Sequence, residues 1–197
     1  MSHHIYHTEG FVLASSPAQE ANKMLYIFTK ELGVVYASAQ GVRLLKSKLR
    51  YSLQDFSYAN ISLVRGKDIW RVTNASTVIT RFPNIFSQPD YFEIYVKILT
   101  LLRRLLNGEE KNEALFTLLT DGFDFLETST SKSFSPLSFE CMLVLQILNN
   151  LGYGSPHSAF EEYGLPVIWS RELITSFEPH RSHALAEVNT SLRESHL

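Results

Sequence analysis

The 197-residue sequence predicts an α+β protein in which a small β domain precedes an α-helical domain. Five short segments of strand-like composition occupy the first 80 residues, with no long helix between them. From Tyr91 onward, apolar residues instead recur at intervals of three and four, as on one face of a helix. Charge divides at the same place, because residues 1–82 carry a net charge of +5 and residues 83–197 a net charge of −7.

The predicted strands are short and are separated by turn signals. Ser15-Ser16-Pro17 ends the first strand, and Arg65-Gly66-Lys67-Asp68 joins the last two as a hairpin. Residues 43–55 are polar and basic, with room for one helical turn. Five strands in about 80 residues are typical of a small barrel or sandwich. The segments are Gly10–Ala14, Lys23–Thr29, Val34–Gln40, Phe56–Val64 and Ile69–Thr73.

The second half predicts helices that begin and end at recognisable signals. Gln88-Pro89-Asp90 and Ser135-Pro136 are helix starts, and Asn107-Gly108 is a helix end. The pattern changes at Arg81-Phe82-Pro83, so we expect domains at 1–82 and 83–197. The predicted helices are Tyr91–Leu105, Asn112–Glu127, Leu137–Leu151 and Ser182–Leu192, and residues 153–170 are expected to be irregular.

Composition excludes several classes of protein. With 45% hydrophobic and 19% charged residues, the chain is neither disordered nor a coiled-coil rod. No stretch of about 18 apolar residues predicts a membrane span, and the first residues lack the pattern of a signal peptide. The single cysteine, Cys141, permits neither an intrachain disulfide nor a four-cysteine zinc site. We therefore expect a soluble, cytoplasmic protein without a metal or cofactor.

Motifs of enzyme chemistry are missing from the sequence. It has neither a phosphate-binding Gly-x-x-x-x-Gly-Lys-Ser/Thr loop nor a Gly-x-Ser-x-Gly elbow. Gly152-Tyr153-Gly154 follows a helix rather than a strand, which is the wrong context for a dinucleotide. Cys141 lies within an apolar helix, where a buried structural thiol is expected. The sequence therefore predicts a protein that is not an enzyme.

The most informative stretch is Gly41–Tyr51, here named the basic segment. Arg43, Lys46, Lys48 and Arg50 fall within eight residues, and the segment contains no acid. Cations grouped on a loop between strands can follow a phosphate backbone, and exposed rings can stack on bases. The alternatives are a solvated loop and rings that belong to the core of the β domain. Five rings occur nearby, Tyr36, Tyr51, Phe56, Tyr58 and Trp70.

The order of motifs resembles the RecO family of recombination mediators. The resemblance is good over residues 8–80 and fair over 137–155. Each motif alone is common, and their order and spacing carry the resemblance. The matching stretches are Gly10-Phe11-Val12-Leu13, Glu20-Ala21-Asn22-Lys23, Ile27-Phe28-Thr29, Leu32-Gly33, Ala39-Gln40-Gly41, Gly41–Ser47, Leu53-Gln54-Asp55-Phe56 and Leu148–Tyr153.

The resemblance implies a five-stranded oligonucleotide-binding (OB) barrel followed by a helical domain. It also implies a role in DNA repair: binding of single- and double-stranded DNA, strand annealing, and cooperation with RecR in loading recombinase onto DNA coated by single-strand-binding protein. Two departures are evident. Residues Phe160–Gly164 stand where many members carry zinc-binding cysteines, and packing of Phe160 and Tyr163 is expected to replace the metal. The helical domain is short, which puts partner sites of longer relatives in doubt.

Two hypotheses of function follow. In the first, the chain is a RecO-like DNA-binding adaptor whose phosphate contacts are Arg43, Lys46, Lys48 and Arg50, with Lys23 as a further candidate. Arg103 and Arg104 are then candidates for binding the acidic, apolar tail of single-strand-binding protein, although cations also favour a helix C-terminus without any partner. In the second, the barrel is a protein-interaction module with weak or no DNA binding.

Overall fold

The computed structural model describes residues 4–77, 81–129, 134–154 and 161–194. The chain forms two compact units. The barrel unit comprises Met1–Arg81 with Leu99–Glu113, and the helical unit comprises Phe82–Ile98 with Ala114–Leu197. The domain boundary at residue 82 stays a prediction.

Five strands of the barrel unit form a closed barrel in the order β1-β2-β3-β5-β4, with β4 pairing back to β1. All neighbouring strands are antiparallel except β3 and β5, which run parallel through three residue pairs, Ala37–Trp70, Ser38–Arg71 and Ala39–Val72. The predicted OB-type barrel is therefore confirmed. The strands are β1 (Ile5–Ala18), β2 (Asn22–Thr29), β3 (Gly33–Ala39), β4 (Tyr58–Arg65) and β5 (Trp70–Thr77).

Successive side chains of each strand point alternately into and out of the barrel. Those that point inward are mostly small or branched apolar residues. On β2, for example, Leu25 and Ile27 are fully buried in the core. The single helical turn expected within residues 43–55 is α1 (Leu49–Ser52). It packs against β5. The core residues are Val12, Leu25, Ile27, Val35, Ala37, Ala39, Val42, Leu53, Ala59, Ile61, Leu63, Trp70, Val72 and Ala75.

The first strand is longer than its apolar run predicts. Ser15, Ser16 and Pro17 lie within β1 rather than in a turn, opposite Leu25, Met24 and Lys23 of β2. A shift in register between Val12 and Ala14 lets the strand bend there. The turn between β1 and β2 consequently lies further along the chain, at residues 19–21.

Residues 99–113 belong to the barrel unit and hold the turn between β2 and β3. The Val34 amide donates to the Gly108 carbonyl at 3.1 Å, and the Tyr26 hydroxyl donates to the Leu106 carbonyl at 2.7 Å. Gly33 has a φ of +69°, and a Cβ at this position would overlap the backbone of Glu110. Only glycine therefore permits both this turn and the close approach of residue 110.

Eight α-helices and one 3-10 helix (Glu178–His180) lie in the described residues, and they include every helix that the sequence predicts, with ends shifted by a few residues. Three short ones, α2, α6 and α7, were not predicted because they offer too few turns for a periodic pattern. None of the helices in the described ranges is long and apolar enough to cross a membrane. The helices are α1, α2 (Pro83–Ser87), α3 (Pro89–Leu105), α4 (Glu113–Thr128), α5 (Pro136–Asn150), α6 (Glu161–Gly164), α7 (Arg171–Phe177) and α8 (Arg181–Glu194).

An aromatic cluster fills the core of the helical unit. Phe139 is fully buried, and its ring centroid lies 4.8 Å from Trp169, 6.0 Å from Phe125 and 6.4 Å from Phe134. Glu127, also buried, accepts hydrogen bonds from the amides of Asn84 and Ile85 at 2.9 and 3.0 Å. Its carboxylate thereby satisfies donors at the start of α2 that would otherwise be unpaired.

Candidate nucleic-acid interface

A groove of about 290 Å³ lies on the outer face of β2 and β3, here named the β2–β3 groove. The β1–β2 turn borders it on one side and the β4–β5 turn, residues 66–69, on the other. In OB barrels, the face of strands 2 and 3 between these two turns is where oligonucleotides bind. Residues that line the groove include Gln19, Asn22, Met24, Ser38, Lys67, Asp68 and Arg71.

The β4–β5 turn is shaped by Gly66. Its amide donates to the Ile69 carbonyl at 3.0 Å, and a Cβ on residue 66 would overlap that same carbonyl oxygen. Lys67 and Asp68, the central residues of this tight turn, therefore lie at the edge of the β2–β3 groove. This confirms the hairpin that the sequence predicts at residues 65–68.

Two cations of the groove were missed by the sequence reasoning. Lys67 was assigned only to a turn, and Arg71 only to a strand, yet both line the groove. Arg71 lies opposite Ser38 in the parallel pairing of β3 with β5, which places it beside β3. That pairing joins residues distant in sequence and leaves no local signal. Asp68, in the same turn, adds one negative charge to the groove.

The basic segment begins next to the β1–β2 turn and is held there. The Arg43 amide donates to the Ala21 carbonyl at 2.9 Å, and its guanidinium donates to the Gln19 carbonyl at 3.2 Å. Arg43, Lys46, Lys48 and Arg50 are all exposed. Among the described residues, no carboxylate forms an ion pair with any of these four. The positive charge of all four therefore faces solvent, and Arg43 lies at one border of the groove.

Lys23 differs from the other predicted phosphate contacts. Lys23 is two residues before Leu25 and four before Ile27 on β2, so it lies on the same inward face of the strand, at the end of the barrel. Its Nζ donates to the Ser15 hydroxyl at 3.1 Å, and that hydroxyl donates to Asp55. Met24, the next residue, lines the groove instead. The structure thus brings Lys23 to a polar contact within the barrel unit and not to the groove.

The aromatic residues separate into buried and exposed rings. Trp70 and Tyr58 are buried, and the Trp70 Nε1 donates to the Glu109 carboxylate at 3.0 Å while the Arg65 guanidinium lies over its ring. Tyr36 is 48% exposed and Tyr51 71% exposed. Tyr36 precedes Ser38 by two residues on β3, so it lies on the same outer face, roughly 7 Å further along the strand. It is therefore a ring available for stacking.

Arg103 and Arg104, in the last turn of α3, are both exposed. Burial raises the pKa of the Tyr26 hydroxyl, and the positive charge of Arg103 partly opposes that rise. Arg103 consequently lies close to Tyr26, which pairs with Tyr36 across β2 and β3. Arg103 and Arg104 are therefore cations of the barrel unit, which includes residues 99–113.

Comparison with known proteins connects this barrel to DNA repair. Residues 1–81 match the family model described as "Recombination protein O N terminal". A DNA repair protein RecO of Desulfitobacterium hafniense (strain DSM 10664 / DCB-2) is 30% identical over 149 residues, which cover 76% of this chain and 52% of the relative. The RecO of Dehalococcoides mccartyi (strain ATCC BAA-2266 / KCTC 15142 / 195) is 31% identical over 141 residues, 72% of this chain and 55% of the relative.

The chain belongs to the RecO family. It spans about half the length of the curated relatives it matches. The RecO of Heliobacterium modesticaldum extends the match to 163 residues at 29% identity, 83% of this chain. The similarity therefore reaches beyond the barrel and into the helical unit.

Of the two residues expected to pack in place of a metal, Tyr163 lies within the described residues. Tyr163 is buried, with its ring 5.2 Å from that of Phe177, and its carbonyl accepts a hydrogen bond from the Gln146 amide at 3.1 Å. Phe160, the other residue expected to pack here, lies outside the described residues. Within those residues, no three His, Cys, Asp or Glu side chains form a cluster that could hold a metal ion.

Proposed function

We propose that this RecO-family chain is a non-catalytic DNA-binding protein of homologous recombination, acting in the cytoplasm. The observation that carries the proposal is that the acid-free basic segment begins, at Arg43, beside the β2–β3 groove of an OB barrel. Single- and double-stranded DNA share the phosphate backbone that Arg43, Lys46, Lys48 and Arg50 would neutralise. Lys67 and Arg71 would extend that contact into the groove.

Binding in this mode positions a strand without reading its sequence. Phosphate contacts carry no base information, and the exposed ring of Tyr36 offers a stacking surface to any base. The same cations screen the repulsion between two polyanionic strands, which supports annealing of complementary DNA. No nucleotide is consumed in any of these steps.

The proposal includes the partners that the family implies. RecR would bind the barrel domain, and together they would help load recombinase onto DNA coated by single-strand-binding protein. The acidic tail of that protein would bind Arg103 and Arg104. A pull-down tests the last point: charge reversal of both arginines to Glu abolishes tail binding, whereas unchanged binding removes them from the site and leaves them as cations at a helix C-terminus.

A protein-interaction module is the second candidate. The helical unit carries five Lys/Arg against twelve Asp/Glu, a net charge of −7, which repels DNA and suits a basic protein partner. In this case the chain would bind another protein firmly and DNA only weakly. The salt dependence of oligonucleotide binding distinguishes the two candidates.

Titration of a labelled single-stranded oligonucleotide at several salt concentrations tests the proposal. If the four cations of the basic segment each neutralise one phosphate, they contribute about −3 to the slope of log affinity against log salt. Replacing Lys46 and Lys48 together by Ala reduces the magnitude of that slope by about 1.4 and weakens binding to all sequences alike. The matched control is Arg171→Ala with Arg193→Ala, which removes two exposed cations from the helical unit.

Two results decide between the candidates. An unaltered slope and affinity in the Lys46/Lys48 variant would make the basic segment merely solvated surface and favour the protein-interaction module. A variant of the groove, Tyr36→Ala, is expected to weaken single-strand binding by about 1–3 kcal/mol through lost stacking. Tyr153→Ala, which truncates an exposed ring of the helical unit, provides its control.

A further inference from the structure

Two leucines project from the middle of the basic segment. Leu44 is 57% exposed and Leu45 is 84% exposed. Their neighbour Val42 is buried in the barrel core, so the chain turns outward immediately before them. Adjacent exposed leucines lose hydrophobic stabilisation that burial would provide, and the phosphate contacts proposed above give them no role.

The turn that carries the leucines is fixed by its own hydrogen bonds. The Leu44 amide donates to the Gly41 carbonyl at 3.1 Å, and the Ser47 amide donates to the Leu44 carbonyl at 3.0 Å. Gly41 permits the turn through a φ of +63°. The contacts of Arg43 with the β1–β2 turn secure the segment at its start. The leucines are therefore displayed on a held turn.

The cations beside Leu44 and Leu45 indicate which kind of partner these leucines contact. Arg43 precedes them directly and Lys46 follows them directly, and the segment from Gly41 to Tyr51 contains no acid. A duplex whose phosphates bind these cations lies against Leu44 and Leu45, which stand between them in the chain. Apolar side chains flanked by cations are the means by which many proteins enter the minor groove and separate stacked base pairs.

We propose that Leu44 and Leu45 form a wedge that enters a base step of duplex DNA, while the flanking cations hold the phosphates on either side. This inference rests on the proposed DNA-binding function and extends it to duplex distortion. A stacked step is the appropriate occupant because an aliphatic wedge gains apolar contact by separating bases. Single strands, whose bases are already accessible, favour stacking on rings such as Tyr36 instead.

A duplex with 2-aminopurine at its central steps, and a dye pair at its ends, tests the wedge. The wild-type protein is expected to raise 2-aminopurine fluorescence, which reports unstacking, and to shorten the end-to-end distance through bending. The variant Leu44→Ser with Leu45→Ser is expected to lose both signals and to bind the duplex about tenfold more weakly. Its affinity for a single-stranded oligonucleotide should stay within about twofold of wild type.

Leu137→Ser with Leu165→Ser is the matched control, because these leucines of the helical unit are 57% and 54% exposed. This control should unstack and bend the duplex as wild type does. If the Leu44/Leu45 variant also unstacks and bends it, the wedge is wrong while the proposed DNA binding stands. If wild type binds neither DNA at low salt, the proposed function fails first.

The same leucines and cations could instead suit an anionic membrane surface. Vesicles of phosphatidylglycerol and phosphatidylcholine test this alternative by cosedimentation. Failure of wild type to cosediment supports the wedge. Cosedimentation of wild type that the Leu44/Leu45 variant loses, together with unchanged duplex binding, would overturn the wedge in favour of a lipid surface.

Discussion

The basic segment of the barrel unit and Lys97 of the helical unit use their positive charge differently. In the helical unit, Lys97 donates to Glu93 at 2.8 Å and lies 3.6 Å from Glu140, so its charge is paired within the unit. In the barrel unit, the cations of the basic segment face solvent, and among the described residues no carboxylate pairs with them. Cations without a carboxylate partner within the protein are the ones available to an anionic ligand.

The two units also differ in what fills them. The core cluster inside the barrel is aliphatic apart from Trp70, in keeping with the limited space inside five strands. The rings of Phe11 and Phe28 are also buried in the barrel unit but do not belong to this cluster. The helical core contains clustered rings, among them those of Phe82, Tyr95 and Phe123, and Phe139 packs against the partly buried Trp169. The loss of one ring from this cluster should therefore be costly in the helical unit, whereas at the turns of the barrel unit backbone conformation is the sensitive feature.

The largest effect is expected from Phe139→Ala. Removing this buried ring leaves a cavity beside Phe125, Phe134 and Trp169, at a cost of about 3–5 kcal/mol in the free energy of unfolding. Urea denaturation followed by Trp fluorescence measures it. Phe139→Leu, which keeps much of the volume, should cost clearly less. Equal losses in both variants would contradict the cavity explanation.

In the barrel unit, Gly33→Ala should destabilise by about 3 kcal/mol. The new Cβ adds the strain of a left-handed φ to an overlap with the backbone of Glu110. Gly108→Ala isolates the first cost, because Gly108 has a φ of +83° but nothing within 4 Å of its added Cβ, so about 1 kcal/mol is expected. Unfolding midpoints of the two variants provide the test, and a Gly108 loss as large as that of Gly33 would argue against the overlap.

The reactivity of the Cys141 thiol measures how well it is buried in the helical unit. Burial raises the pKa of its thiol to about 11, with Arg181 lowering it and Glu140 raising it to smaller extents. At pH 8 the folded protein should react with iodoacetamide about 100-fold more slowly than the urea-unfolded protein, because far less thiolate is present. The native rate should rise about tenfold per pH unit until pH approaches 11. Equal native and unfolded rates at pH 8 would show an accessible thiol.

The smallest effects compare the cations of the two units. Lys46→Ala with Lys48→Ala should change the free energy of unfolding by less than about 0.5 kcal/mol, since neither lysine has an ion-pair partner among the described residues. Lys97→Ala should cost roughly 0.5–1 kcal/mol through its two carboxylate partners, a loss that shrinks in 1 M salt. If the Lys46/Lys48 variant lost more free energy of unfolding than Lys97→Ala, the cations of the basic segment would be the ones that stabilise the fold.

Local patterns predicted the elements well. Alternation and turn glycines located all five strands, and three-four spacing located the long helices of the second half. Alternation also held a clue to the stacking ring: Tyr36 lies between Val35 and Ala37, which are both buried in the core, so its side chain faces outward. The basic segment was predicted as an exposed loop because it is acid-free and interrupts the apolar pattern.

Pairings between distant residues could not be predicted. The groove arises because β5 lies beside β3, which brings Arg71 next to Ser38. Trp70 is buried with its Nε1 bound by Glu109, a carboxylate 39 residues away. The inclusion of residues 99–113 in the barrel unit had no signal either, because the apolar spacing of α3 continues unbroken through Leu99 and Leu102. Such features depend on tertiary packing, which a local sequence pattern does not reveal.

The parallel pairing of β3 with β5 has a kinetic consequence. Only three residue pairs close the barrel there, and each joins positions far apart in the chain, so the entropy lost in forming this seam is large for the few hydrogen bonds gained. We expect the seam to form last during folding and to open first, with backbone amides of β3 near Ser38 exchanging their hydrogens sooner than those between β1 and β2. Ser38 and Arg71 stand on opposite sides of the seam and both line the groove, so a strand bound across them would slow that exchange.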